Sequence, residues 1–255
     1  MGLFYKKYGT TGTPLLILHG LFGMSDNWHN VAKYLSENYM VYTIDLRNHG
    51  QSPHVSEMNY SLMAEDINTL LEQEQLDKVI LMGHSMGGKV AMQFAVNYPE
   101  KLYNLIVVDI APKQYAEGHK KYFEAMKSIN LNASGRKEIE TELAKSIKDQ
   151  GELLFLLKNL YRKEDNTYGL KLNLKVIEAN YQEIIGGIKF VKTISVPTCF
   201  IKGERSSYIV ESDEMEIRKY FEDVRIVTVP NAGHWVHAEN MSGFLTALEG
   251  FLKTA

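Results

Sequence analysis

The chain has 255 residues, 45% hydrophobic and 23% charged, a balance that suits one sizeable α/β domain carrying an insertion. Lys and Arg number 28 against 31 Asp and Glu, a net charge of −3 with no strongly basic block, which argues against nucleic-acid binding and polybasic membrane docking. The single cysteine, Cys199, can close no internal disulfide, the start of the chain lacks a signal-like apolar segment, and no apolar run approaches membrane-spanning length, so a cytoplasmic protein without membrane contact is expected.

Short apolar runs alternate with helical patterns along the chain. Strands are expected over 15–19, 41–46, 79–82 and 102–109, with helices over 25–37, 60–73 and 87–98 between them. The alternation returns late, with strands over 198–202 and 225–229 and helices over 215–221 and 244–253. Near-continuous apolar strands separated by helices indicate an α/β fold, a mostly parallel sheet covered on both faces. In such sheets the ligand site lies beyond the carboxyl ends of the strands. His19, Asp45, Arg47, Ser85, Asp109, Glu204 and His234 all lie at the ends of predicted strands or just after them.

The interval 113–187 reads as helices over 119–129, 137–148, 152–160 and 174–185, too long for a loop. It is expected to be a helical lid (cap) domain inserted after the strand ending at Asp109, with 1–112 and 188–255 forming the core. Phe123, Met126, Leu153, Phe155, Leu156 and Tyr181 should pack chiefly within this lid, a minority of them lining an acyl pocket. Cys199 lies in the apolar run 196–201 and reads as a small buried hydrophobe.

The centre of the chain is Gly83-His84-Ser85-Met86-Gly87, entered from an apolar strand and left by a helix. Glycines on either side remove the Cβ atoms that would clash in a sharp turn, so the serine can be held in a strained conformation above a helix N-terminus. This strand, turn and helix resemble the nucleophile elbow of the α/β-hydrolase fold. A serine hydroxyl needs a base to take its proton as it attacks, and a histidine, with a pKa near ~6.5, suits that task. Of the eight histidines, His234 follows the last predicted strand in a turn-rich loop, and in this fold the order is serine, acid, histidine. His237 is the local competitor and reads as a surface capping residue, while His19 and His84 read as structural buttresses of their turns.

The acid must be buried and within reach of the histidine, to hold its tautomer and stabilise the imidazolium. The commoner position in the superfamily is a Gly-x-x-Asp after the post-lid strand, but here Gly203-Glu204-Arg205-Ser206 places serine there. Asp109 is therefore preferred, with Glu204 and Asp213 as alternatives and a cap of the first lid turn as its bland reading. Backbone N–H groups of Leu21 and Met86 are the expected oxyanion donors, each such donor being worth roughly 3 kcal/mol. Phe22 and Trp235 are the candidate pocket aromatics, although such residues, like Trp28, are more often core or rim aromatics than substrate stackers. The loop from Asp45 to Ser52 reads as a hydrogen-bonded brace, with Arg47 an alternative anion contact. No residue pattern has metal-ligand spacing or a dinucleotide fingerprint, so neither metal nor cofactor is expected.

Leu18-His19-Gly20-Leu21-Phe22-Gly23, Asp45-Leu46-Arg47-Asn48-His49-Gly50-Gln51-Ser52-Pro53, the elbow with Gly88-Lys89, and Val107-Val108-Asp109-Ile110-Ala111-Pro112 together resemble the YbfF-like esterases, a branch similar to the animal abhydrolase-11 proteins. The resemblance implies a serine ester or thioester hydrolase of broad, short-acyl specificity, with its acid one strand after the nucleophile, which matches Asp109. The expected activity is hydrolysis of small-molecule carboxylic esters or acyl thioesters through an acyl-enzyme, by a monomer or homodimer. Another reaction on the same fold (lyase, acyltransferase or perhydrolase) is the alternative, followed by a non-catalytic small-molecule receptor.

Overall fold

The computed structural model describes residues 1–253. The core begins with β1 (Tyr5–Tyr8), β2 (Thr13–Leu18), a 3-10 turn at Ser25–Trp28, α1 (His29–Leu35), β3 (Tyr39–Ile44), α2 (Tyr60–Gln73), β4 (Val79–His84), α3 (Met86–Asn97), a second 3-10 turn at Pro99–Lys101 and β5 (Leu102–Val108). The inserted segment holds α4 (Lys120–Lys127), α5 (Arg136–Ser146), α6 (Gln150–Leu157), the hairpin β6 (Leu160–Arg162) and β7 (Tyr168–Leu170), α7 (Leu174–Ala179) and α8 (Tyr181–Ile185). The core resumes with β8 (Thr198–Gly203), α9 (Glu211–Tyr220), β9 (Val224–Val229), α10 (Val236–Glu239) and α11 (Met241–Leu252). Among the described residues, seven strands form one sheet in the order β1-β3-β2-β4-β5-β8-β9, parallel except for β1 at one edge.

Alternation along each strand sends side chains to opposite faces. Leu16, Leu18, Leu81, Leu105, Val107 and Phe200 pack on the face covered by α2, α3 and the inserted segment. Leu15, Ile17, Ile80, Met82, Ile106, Val108 and Ile201 pack on the other, against α1 and α11. Cys199 is fully buried on this second face, and burial pushes its thiol up to about 12, so it packs as a small hydrophobe. The register aligns Gly83 with Val107, Val108 with Ile201 and Gly203 with Val229, so the strands end along one edge of the sheet.

Local chemistry explains where the elements depart from the predicted bounds. The Asn27 side chain accepts the Met24 N–H at 2.7 Å and closes a separate 3-10 turn, so the helix expected over 25–37 divides. Asn180 turns its side-chain amide onto the Val176 carbonyl at 2.9 Å, competing with the backbone, and divides the helix expected over 174–185. Caps start two late helices early: the Asp213 carboxylate accepts the Val210 N–H at 2.9 Å before α9, and Asn240 accepts the Gly243 N–H at 2.9 Å before α11. The elements absent from the sequence reading include β1, a lysine-bearing edge strand, the short α10, and the hairpin of β6 and β7, whose three-residue strands are too short to show a period.

Candidate active site

The chain leaves β4 through a turn that only glycines allow. A Cβ on Gly83 would lie 2.1 Å from the Gly87 carbonyl oxygen, and one on Gly87 2.5 Å from that of Leu18. Between them Ser85 adopts φ 52° and ψ −120°, a strained conformation at the N-terminus of α3, as expected for an elbow. One strand over, Asp109 follows β5 with φ 50°. Its backbone N–H donates to the Ile201 carbonyl at 2.9 Å and its side chain is fully buried.

The last loop brings His234 between these two. Its Nε2 lies 3.1 Å from Ser85 Oγ and its Nδ1 2.7 Å from Asp109 Oδ2. Asp109 Oδ1 also accepts the Gly203 N–H at 3.1 Å, and its Oδ2 the Ser206 hydroxyl. The serine occupying the commoner acid position therefore hydrogen-bonds the aspartate at the other one. Such an array suits a ring that donates from Nδ1 to the carboxylate and turns Nε2 to the hydroxyl. Tyr208 stacks on His234, with ring centroids 3.8 Å apart at 14°. The alternatives lie elsewhere: Glu204 is exposed and accepts the Asn231 N–H at 2.9 Å, while Asp213 pairs with Lys113 at 2.6 Å.

The other histidines brace the loops. His19 donates from Nδ1 to the Gly20 carbonyl at 2.8 Å and accepts the Leu46 N–H at Nε2 at 3.0 Å. Burial pushes its pKa down to about 4, the Gly20 carbonyl opposing, so the ring is neutral. His84 donates from Nε2 to the His234 carbonyl at 2.8 Å, and burial holds it well below the usual range. His237 is a correction to the expected surface cap: it is buried and stacks on Trp28 with centroids 3.9 Å apart at 16°. Trp28 is itself fully covered, so it takes the core side of its two readings. Arg47 forks onto Asp66 at 2.6 and 2.9 Å and donates to two carbonyls, a loop brace rather than an anion contact.

Ser85 opens on a cleft of about 960 Å³ lined by Gly20, Leu21, Phe22, His234 and Trp235 from the core and Tyr122, Leu154, Phe155 and Leu156 from the inserted segment. Beside it lies a chamber of about 80 Å³ walled by Met86, Ile110, Ile184 and Ile185. The N–H groups of Leu21 and Met86 donate to no acceptor among the described residues, whereas the Phe22 N–H is occupied by His49 Nε2 at 3.3 Å. Ser206, Tyr208 and His119, which also lines the cleft, were not singled out from the sequence as site residues; of these only Ser206 carried a signal, its place in the Gly-x-x-Asp slot. Among the described residues no group of three or more His, Cys, Asp or Glu side chains is placed to hold a metal ion.

A family model described as alpha/beta hydrolase fold matches residues 13–241. The sn-1-specific diacylglycerol lipase ABHD11 of Danio rerio is 38% identical over 251 residues, covering 94% of this chain and 78% of the relative. Esterase YbfF of Escherichia coli (strain K12) is 32% identical, covering 94% of this chain and 93% of the relative. A solved structure titled "Marine microorganism esterase" superposes with a TM-score of 0.96 at 45% identity, covering 98% of both chains.

Proposed function

The chain belongs to the α/β-hydrolase family, as an esterase-type hydrolase, and we propose that Ser85, His234 and Asp109 are its nucleophile, base and acid. The observation that carries this reading is the unbroken relay from Ser85 Oγ through His234 to the buried Asp109, at 3.1 and 2.7 Å. Ser85 attacks the acyl carbon of an ester or acyl thioester while His234 Nε2 takes its proton. The Leu21 and Met86 N–H groups hold the oxyanion. His234 returns the proton to the departing alcohol or thiol, then activates water to free the acyl group. Asp109 keeps the ring oriented and balances its transient charge without itself gaining a proton.

Residues 113–187 act in this reading as a lid, with Phe155, Leu156, Phe22 and Trp235 forming apolar cleft wall. The substrates are small-molecule esters or thioesters of short to medium acyl groups; the small chamber beside Ser85 supports a short acyl part and the open cleft a larger leaving group. A cytoplasmic location belongs to the same reading, supported by the lone, buried Cys199; no helix among the described residues is long and apolar enough to cross a membrane. Treatment with a fluorophosphonate probe tests the nucleophile. The wild type should be labelled and should hydrolyse p-nitrophenyl butyrate, and Ser85→Ala should lose both; undiminished labelling of the variant would place the nucleophile elsewhere.

A further inference from the structure

Leu21, Ser85, Gly118, His119 and Tyr208 line both the cleft and the small chamber, and so form the neck where the two spaces meet. His119 comes from the inserted segment, and its imidazole has no part in the relay. Tyr181 Oη lies 2.6 Å from His119 Nδ1, and the same oxygen accepts the backbone N–H groups of Gly118 at 3.2 Å and His119 at 3.1 Å. A phenolic oxygen has two acceptor positions and one proton. With both positions filled by N–H groups, the proton points at Nδ1, and hydrogen-bond counting assigns His119 the neutral tautomer with its hydrogen on Nε2.

That Nε2–H has no acceptor among the described residues, and it is not one of the atoms sealed from solvent without a partner. Burial, with His234 and Lys121 nearby, pushes the ring down to about 4, so it stays neutral at ordinary pH. With Nδ1 engaged and Nε2 protonated it cannot serve as a second base. It remains a fixed, neutral donor at the neck beside the nucleophile.

We propose that His119 Nε2–H is a substrate-binding donor that selects esters carrying a second acceptor oxygen close to the scissile bond, such as an ether, keto or hydroxyl oxygen. This rests on the reading of Ser85 as nucleophile. A neutral hydrogen bond of this kind contributes roughly threefold to tenfold in kcat/KM for a substrate that can accept it.

Two isosteric pairs test the proposal and locate the oxygen. p-Nitrophenyl methoxyacetate against p-nitrophenyl butyrate places it on the acyl side, and 2-methoxyethyl butyrate against butyl butyrate on the leaving side. Comparing each ratio of kcat/KM between wild type and variants cancels the intrinsic reactivity of the esters. In one arm the preference for the oxygen-bearing ester should fall roughly threefold to tenfold in His119→Phe and be kept in His119→Gln, whose amide can still donate. Unchanged ratios in both arms, or an equal fall on all four esters, would overturn the proposal. A second readout needs no turnover: nitrogen-15 NMR should find His119 with Nδ1 bare and Nε2 protonated, a state disturbed in Tyr181→Phe, and the opposite tautomer refutes the assignment. A wild type that hydrolyses neither butyrate would instead bring down the ester-hydrolase reading, and the proposal with it.

Discussion

Asp109 leaves β5 in a left-handed conformation, φ 50°, which costs a non-glycine residue on the order of 1 kcal/mol or more. The turn places its carboxylate under the Gly203 N–H, the Ser206 hydroxyl and His234 Nδ1 together. An amide at 109 could present its N–H to Nδ1 and favour the wrong tautomer. Asp109→Asn should therefore lower kcat by roughly 10³ to 10⁴, with KM little changed. Because Ser206 Oγ already touches the same carboxylate oxygen as His234, adding Ser206→Asp to that variant should restore about tenfold of kcat, a new carboxylate reaching the ring from the neighbouring strand end. Steady-state kinetics on p-nitrophenyl butyrate reads both effects. An Asp109→Asn enzyme within about twofold of wild type would mean that the acid lies elsewhere.

At the scale of elements, α3 does more than present Ser85. Lys89, one turn into it and almost fully covered, donates to the carbonyls of Lys113 at 2.8 Å, Ile185 at 3.3 Å and Gly186, with the Tyr115 ring 4.8 Å away. Those carbonyls belong to the two chain crossings that bound the inserted segment. One side chain on the elbow helix thus ties both crossings to the core, although burial and Lys113 push its pKa down to about 7. Lys89→Met keeps the bulk and removes the donors, leaving the part-buried Lys113 and Gly186 carbonyls without that partner while Ile185 keeps the Tyr115 N–H at 2.9 Å. Amide exchange should then quicken about tenfold or more at 113–118 and 184–188, while the central strands keep their protection. Uniform acceleration through the whole sheet, or none anywhere, would contradict a local clamp.

Across the whole molecule, the edge of the sheet is crowded with neutral imidazoles. Burial holds His19 at about 4, His49 and His237 at about 3, and His84 well below the usual range. In the unfolded chain these rings titrate near ~6.5. Below that pH the unfolded state binds protons that the native state refuses, so stability is full above about 6.5 and falls as pH drops toward the native values. Each ring removes on the order of 1 kcal/mol per pH unit across that window. The histidine contribution to the thermal midpoint should be complete above about pH 7, and the midpoint should decline steeply between about 6 and about 4. A midpoint unchanged down to about pH 5 would show that the rings are not buried neutral.

The alternating apolar strands, the glycines around Ser85 and the turn-rich loop at His234 are local patterns, and they make the α/β sheet, the sharp turn at Ser85 and the order of the candidate site residues legible in the chain itself. Periodicity and turn chemistry act over a few residues and so can be read from the chain directly. The rest depends on how distant segments align. The Ser206 hydroxyl on Asp109 spans 97 positions, and Tyr208 meets His234 face to face only because β8 and β9 end at the same level. Tyr181 sets the His119 tautomer across the inserted segment, and Trp28 draws His237 from the expected surface into the core. Contacts of this kind follow from sheet register and packing, which no short window of sequence contains, so only the tertiary structure could decide them.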